Sequence, residues 1–433
     1  MPNGNLGRNT FSIKSAYNLS DRIKTTVTGS YVDTKGQGRN VTGYNNGNPM
    51  QAFTQWWQTQ LDVDRLAEGA YAVDGTQQTW NSKGVIKDGN NNLIRYDSSP
   101  NFFDNPVWAR ENYLQEDHRK RFIGGANVSV DLGKGFSTMA RIGSDFYNTF
   151  DVAGIPVQSV ETALYQERNQ SFSETNMEAR LSYNKQITDK FSLTAFVGGN
   201  RMRQSSRTSS QATNGGLALD GFYNISNSVA APILSTNETN KGINSVFGSA
   251  SFGFNNWLYV DVTARNDWSS TLPAGQNSYF YPAVTGSAVL SDLLGFDYKG
   301  VSFLKVRASY ASAGNDASAY RLTDVFSPET PGFTGFPRYG VPNSQNNPSL
   351  RPEFTTEIEF GAEGRFLSNK LGIDVAFFSR STVDQIFNVP SSSTTGYTSR
   401  LLNAGEMRNS GIELTIDATP IQTKDFTWNI GFN

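Results

Sequence analysis

The sequence predicts an all-β protein, a partial transmembrane antiparallel β-barrel, and three observations predict it. Segments of about ten residues alternate apolar with polar side chains, the period of a strand with lipid on one face and water on the other. The connections alternate short and long, the asymmetry of a barrel with tight turns on one side of a membrane and long loops on the other. Aromatic residues make up 12% of the chain, which suits strands and membrane-interface belts.

The alternation places 14 strands near 9–19, 22–33, 119–132, 135–147, 173–187, 190–202, 243–254, 257–268, 278–290, 302–312, 353–366, 370–383, 409–419 and 425–433. Tight turns fall at 19–22, 132–135, 188–190, 255–256, 368–370 and 420–425, and long polar stretches at 36–118, 147–172, 203–242, 312–352 and 384–409. The 291–300 connection is intermediate and stands where a tight turn is due. In 173–187, Met177, Ala179, Leu181 and Tyr183 oppose Glu178, Arg180, Ser182 and Asn184. In 302–312, Leu304, Val306, Ala308 and Tyr310 oppose Lys305, Arg307 and Ser309. At the end of the chain, Ile412, Leu414, Ile416 and Ala418 share one face, and Phe426, Trp428, Ile430 and Phe432 another. Only 278–290, with Tyr279, Phe280 and Tyr281 in succession, gives no clear parity.

Charged side chains confined to one parity are lumen-facing, because Arg or Lys on the lipid face near mid-membrane costs ~2–4 kcal/mol. Phe136 and Phe146 share a parity with Thr138, Ala140, Ile142 and Ser144 between them. Ten tilted residues span roughly 25 Å, the height of the apolar band between aromatic girdles. Such an outward set, rich in Ala, Gly and Thr, would fill a soluble sandwich core poorly.

Composition excludes several functions. The 433 residues contain no cysteine and one histidine, which removes disulfides, thiol nucleophiles and His-rich metal sites. His118, in the run Asp117-His118-Arg119-Lys120-Arg121, reads as a solvated loop residue. The net charge of −2 offers no case for nucleic acid. No run of ~18 apolar residues is present, so no helical membrane span is expected. Lys35-Gly36-Gln37-Gly38-Arg39 lacks the context of a phosphate loop, and Asp88-Gly89-Asn90-Asn91-Asn92 lacks calcium-loop spacing and reads as a hairpin turn. No catalytic motif, cofactor or metal site is expected, and the chain is not expected to be an enzyme. The opening Met1-Pro2-Asn3-Gly4-Asn5 has no basic n-region and no apolar h-region. A secreted barrel needs such a signal, so either the barrel reading is wrong or the chain is a piece of something longer.

Five segments in order carry a resemblance. They are Ala264-Arg265-Asn266-Asp267-Trp268-Ser269-Ser270-Thr271-Leu272-Pro273, Tyr279-Phe280-Tyr281-Pro282-Ala283-Val284, Leu304 to Asn315, Asn347-Pro348-Ser349-Leu350-Arg351-Pro352-Glu353-Phe354-Thr355-Thr356-Glu357, and Asn403 to Leu414. Together they resemble the SusC/RagA family of TonB-dependent outer-membrane transporters, over roughly residues 243–433. The first half matches it in strand and loop rhythm. The resemblance implies a barrel of about 22 strands, of which about 14 are here, with short periplasmic turns and long extracellular loops. It places the chain, 1–433, in the outer membrane of a Bacteroidetes-like Gram-negative cell, as a barrel incomplete at both ends and lacking a plug and TonB-box segment. It implies import of glycan oligomers or peptides, a SusD-like lipoprotein as a lid, and the TonB–ExbB–ExbD system reached through the missing plug. A siderophore- or cobalamin-type receptor is the alternative of the same architecture, and a secreted β-rich glycan-binding adhesin the alternative outside membranes.

For a transporter, the chemistry is recognition. The 36–118 loop, read as a long extracellular insertion, holds Trp56, Trp57, Trp80 and Trp108 amid Asn, Gln, Asp and Tyr. Exposed indole faces beside amides and carboxylates suit an oligosaccharide, whose rings stack on C–H faces and hydrogen-bond at their rims. Packing of the same tryptophans onto the loop itself is the competing expectation. Asp267 is expected to be an outside-rim acid paired with a neighbouring arginine.

Overall fold

The computed structural model describes residues 4–39, 41–55, 57–295, 300–333 and 336–433. Fourteen strands form one antiparallel sheet in chain order, with no crossover. They are β1 (Asn5–Asn18), β2 (Ile23–Gln37), β3 (Leu114–Gly133), β4 (Phe136–Ile155), β5 (Leu164–Thr188), β6 (Phe191–Leu217), β7 (Ser228–Phe254), β8 (Leu258–Ser269), β9 (Ser278–Val289), β10 (Val301–Asn315), β11 (Glu353–Phe366), β12 (Leu371–Val383), β13 (Glu406–Gln422) and β14 (Thr427–Phe432). Among the described residues, β1 and β14 each keep one edge unpaired, so the sheet is open. Among the described residues no helix is long and apolar enough to cross a membrane, which does not bear on a barrel that crosses with strands.

Each expected strand is present, but five are much longer than the expected ~10 residues. β3 and β4 have 20 residues, β5 has 25, and β6 and β7 have 27. The stretches 147–172 and 203–242, read as loops, are therefore mostly strand, with connections only at 156–163 and 218–227. Beyond the lipid both faces of a hairpin are wet, so segments such as Arg203 to Gln211 lose the apolar alternation and keep the ladder. His118 is likewise corrected: it lies in β3, not a loop, with its ring Nε2 2.6 Å from Asp33 Oδ1 on β2.

The tight turns have the expected chemistry. Asn255 and Asn256 adopt φ of 54° and 62°, the left-handed conformation that asparagine tolerates, in the three-residue connection between Phe254 and Leu258. The last turn is shorter than expected, because β13 continues through Pro420 with a register break between Ala418 and Ile421. Proline has no N–H for the ladder, so a bulge accommodates it. The 291–300 connection holds one helical turn, Leu290–Leu294, capped by Gly295 in the left-handed region; 296–299 lie outside the described residues.

Register separates two faces across the whole sheet. Val128, Ala140, Ala179, Gly199 and Val246 stand side by side across β3–β7, and the next row reads Asn127, Arg141, Glu178, Asn200 and Ser245. Farther along, Ala288, Val306, Ala362, Val375 and Leu414 contrast with Ser287, Arg307, Gly361, Ala376 and Glu413. The ambiguous β9 is resolved in the same way, with Phe280, Val284 and Ala288 on the apolar face and Tyr279 and Tyr281 on the polar one. Val27, Val197 and Ile412 on the apolar face are 52%, 55% and 74% exposed, an extent of bare hydrocarbon that a soluble protein would not leave uncovered.

Candidate ligand-recognition site

The chain between β2 and β3 folds into a compact cap. Helix α1 (Pro49–Gln55) leads to α2 (Val63–Glu68), whose N-cap Asp62 accepts from the Asp64 and Arg65 amides. A hairpin of 82–87 and 93–100 follows. Its turn is the Asp88–Asn92 segment, where Asp88 Oδ1 accepts from the Asn90 and Asn92 amides, the hairpin expected from sequence. Helix α3 (Pro106–Asn112) begins at Asn105, which caps the Val107 amide at 2.9 Å and donates to Leu66 O and Gln78 O.

Asp104, only 2% exposed, organises this cap. Its Oδ1 accepts from Gln77 Nε2 at 2.8 Å and the Val160 amide at 2.9 Å; its Oδ2 accepts from Tyr113 Oη at 2.8 Å and Ser159 Oγ at 2.5 Å. Uncharged donors thus satisfy a buried carboxylate. Because Val160 and Ser159 belong to the β4–β5 connection, the same group ties the cap to the neighbouring hairpin. Burial and the Asp104 carboxylate push the Tyr113 hydroxyl well above its ordinary value of 10.0. The folded cap therefore favours the protonated phenol, and the stability this contributes is present below pH 10 and lost as pH rises beyond it. Alkaline titration followed by proteolysis of the cap is expected to show loosening above pH 10, and Tyr113→Phe to remove that pH dependence.

Three of the four sequence-predicted tryptophans lie among the described residues, in two different settings. Trp108 is 2% exposed and packs with Ala70, Ala109 and Tyr113 in the cap's own core, where it offers no face to a ligand. Trp57 and Trp80 meet edge to face at 5.7 Å, with Phe53 5.0 Å from Trp57, and all three are half-buried. Trp56 lies outside the described residues.

Below the cap, the polar face of β1–β5 carries a groove of about 600 Å³ lined by Arg8, Arg119, Arg121, Tyr147, Arg168 and Gln170. Arg121 pairs with Asp145, Arg168 with Asp151 and Arg39 with Asp117. Arg119 lies 3.9 Å over the Tyr147 ring, which stacks on Phe172 at 4.9 Å, and its buried Nε has no hydrogen-bond partner. Period-two parity places these arginines on one face, but their convergence on one groove depends on register, which the pattern does not give.

The later motif segments form a second rim cluster. Asp267, 6% exposed, accepts from Arg265 Nε at 2.8 Å and Tyr281 Oη at 2.8 Å, the expected pairing, while Arg265 Nη2 reaches Ser245. Asp316 takes Lys241 at 2.6 Å, Thr271 Oγ1 at 3.1 Å and Ser269 Oγ. Asn403 Nδ2 donates to Arg351 O and Asp384 O, and Leu272, Tyr279, Ala317, Leu350 and Leu401 pack together beside them. The motif residues staple loop bases to the wall. Among the described residues, no group of three or more His, Asp or Glu side chains is placed to hold a metal.

Residues 57–433 match the family described as TonB dependent receptor-like, beta-barrel. TonB-dependent receptor P26 of Formosa agariphila is 24% identical over 425 residues, covering 95% of this chain and 40% of its own length. TonB-dependent receptor SusC of Bacteroides thetaiotaomicron is 24% identical over 410 residues, 86% of this chain and 39% of its own. The chain thus spans about two fifths of these relatives. Among solved structures, the RagAB peptide transporter superposes with a TM-score of 0.77 at 19% identity, over 99% of this chain and 46% of that one. BauA, the ferric preacinetobactin receptor of Acinetobacter baumannii, does so with a TM-score of 0.54 at 12% identity, over 96% and 52%.

Proposed function

The chain belongs to the TonB-dependent receptor-like β-barrel family, whose members are outer-membrane barrels, and on that premise we propose that it forms part of the wall and the ligand-facing rim of an importer for glycan oligomers or peptides. In this reading the tight turns are periplasmic, the cap between β2 and β3 is extracellular, and a SusD-like lipoprotein closes over the long-loop rim. Transport draws on the TonB–ExbB–ExbD system. The observation that carries the reading is the closer superposition on a SusC/RagA-type transporter than on the siderophore receptor, joined to the likeness to SusC. Support for oligomeric, polar cargo comes from a rim built of folded loops above a groove lined by arginines and aromatic rings.

The half-buried Trp57 and Trp80 edges supply stacking surface for a sugar ring or an aromatic peptide side chain. Replacing both with alanine is expected to weaken cargo binding about tenfold, the equivalent of ~1.4 kcal/mol, without changing the amount of barrel in the membrane. The protein purified from its own outer membrane with a mild detergent is expected to bring down a SusD-like lipoprotein, and its gene deletion to stop growth on particular oligosaccharides or peptides. Growth lost only under iron limitation, with no lipoprotein recovered, contradicts the proposal in favour of a siderophore receptor.

A further inference from the structure

An arginine on the lipid side of a barrel strand needs a physical reason. On the apolar face of β6, Arg201 and Arg203 stand in register with Met177 and Thr175 on β5 and with Asn244 and Gly242 on β7. Other arginines of this face have acids beside them: Arg408 pairs with Glu406 at 2.7 Å, and Arg207 stands opposite Glu238. Arg201 and Arg203 make no ion pair among the described residues; Arg203 donates to Met202 O at 2.6 Å and to Asn244 Oδ1 at 3.1 Å. A Cβ at Gly242 would lie 3.0 Å from Arg203 Nη1, so glycine there lets the guanidinium lie flat across β7.

Beside Arg203 opens a groove of about 720 Å³ whose lining includes Asn244, Trp268, Ser270, Asn277 and Tyr320 and, among the described residues, no acidic side chain. Its one other cation, Lys241, is already held by Asp316. Depth follows from the turns: Arg201 stands eleven positions beyond the turn residue Lys190, as Phe146 does beyond Gly135, and Trp268 stands twelve beyond Asn256. The two arginines therefore sit at the loop-side edge of the apolar band, where Arg costs ~0–1 kcal/mol instead of ~2–4 at mid-membrane. Tryptophan at that depth marks the headgroup layer.

We propose that Arg201 and Arg203, with the groove beside Trp268, bind the phosphate of an outer-leaflet lipid headgroup. This rests on the orientation given under Proposed function. A guanidinium fork matches two phosphate oxygens, Asn244 and Asn277 offer neutral donors, and the indole packs on the first carbons of the lipid.

The test uses the full receptor purified from its outer membrane into phosphatidylcholine nanodiscs doped with phosphatidic acid, a phosphomonoester lipid, with bound lipid counted by native mass spectrometry. Wild type is expected to retain phosphatidic acid, and Arg201→Gln with Arg203→Gln to retain about tenfold less. Arg408→Gln, whose wild-type charge is already neutralised, is expected to retain the wild-type amount. Equal retention by the double variant overturns the proposal. Displacement of the lipid by excess inorganic phosphate also overturns it, in favour of a free-anion site. Heat-modifiable migration of every variant on a denaturing gel confirms that the barrel has formed, so loss of lipid is distinguishable from a failure of the barrel reading.

Discussion

Val27→Arg is expected to block most barrel assembly, whereas Thr26→Arg, one residue away, is expected to be tolerated. Val27 is 52% exposed on the apolar face and stands in register with Ala126 and Ser15. Thr26 lines a groove on the polar face with Lys14, Asn127 and Asp145. Val27 lies five positions past the turn residue Arg22, near the middle of the apolar band, so arginine there costs ~2–4 kcal/mol. At Thr26 the new guanidinium meets water and carboxylates. The folded fraction is read from heat-modifiable migration and from urea titration in lipid vesicles. Equal loss in the two variants would contradict the assignment of faces.

Asp104→Ala is expected to unfold the cap and leave the barrel intact. The substitution strands the Val160 amide, one Gln77 Nε2 hydrogen and one of the Tyr113 and Ser159 hydroxyls, which keep a bond to each other, and each unsatisfied buried group costs ~1–3 kcal/mol, so a loss of roughly 3 kcal/mol or more is expected. A loss of that size exceeds the local stability typical of a surface loop. Hydrogen exchange is expected to rise across 60–113 and 156–163 together, because Asp104 joins the two segments, and to stay unchanged in β8–β14. Asp104→Asn, which retains one acceptor oxygen, is expected to fall between wild type and alanine. Exchange confined to 60–113 would show that the β4–β5 connection does not depend on the cap.

What was legible in the sequence followed from lipid. Wherever one face meets hydrocarbon, period two is enforced, and the faces of Met177 to Tyr183 and Ile412 to Ala418 follow from the pattern alone. Tight turns were legible because Asn255-Asn256 and Gly133-Lys134-Gly135 need left-handed backbone. Above the membrane that constraint disappears. The ladder from Arg203 to Ala212 pairs with Ile233 to Gly242 although neither segment alternates, and pattern reading ended those strands too early.

The candidate site was legible only in kind. Tryptophans clustered in one loop pointed to recognition, yet nothing local distinguishes Trp108, whose helix turns it into the cap core, from Trp57 and Trp80 at the edge. Asp104 gave no signal, because its partners Ser159 and Val160 lie more than 50 residues away in the chain. Arg307 shows the same limit: its parity was clear, but its reach to Glu359 and Asp374 depends on Gly361, where a Cβ would lie 2.5 Å from the guanidinium.

One face of this sheet meets lipid and the other does not, and site-directed spin labels report that difference residue by residue. The protein has no cysteine, so single cysteines placed from Ser137 to Asp145 along β4 can each carry a nitroxide without background. Spin labels in the intact outer membrane are then compared for collision with oxygen, which partitions into lipid, and with a water-soluble nickel complex. Labels at Thr138, Ala140, Ile142 and Ser144 are predicted to favour oxygen, and those at Ser137, Met139, Arg141, Gly143 and Asp145 to show the lower oxygen accessibility of a lumen. A profile without period two, or with the two sets exchanged, would contradict the account.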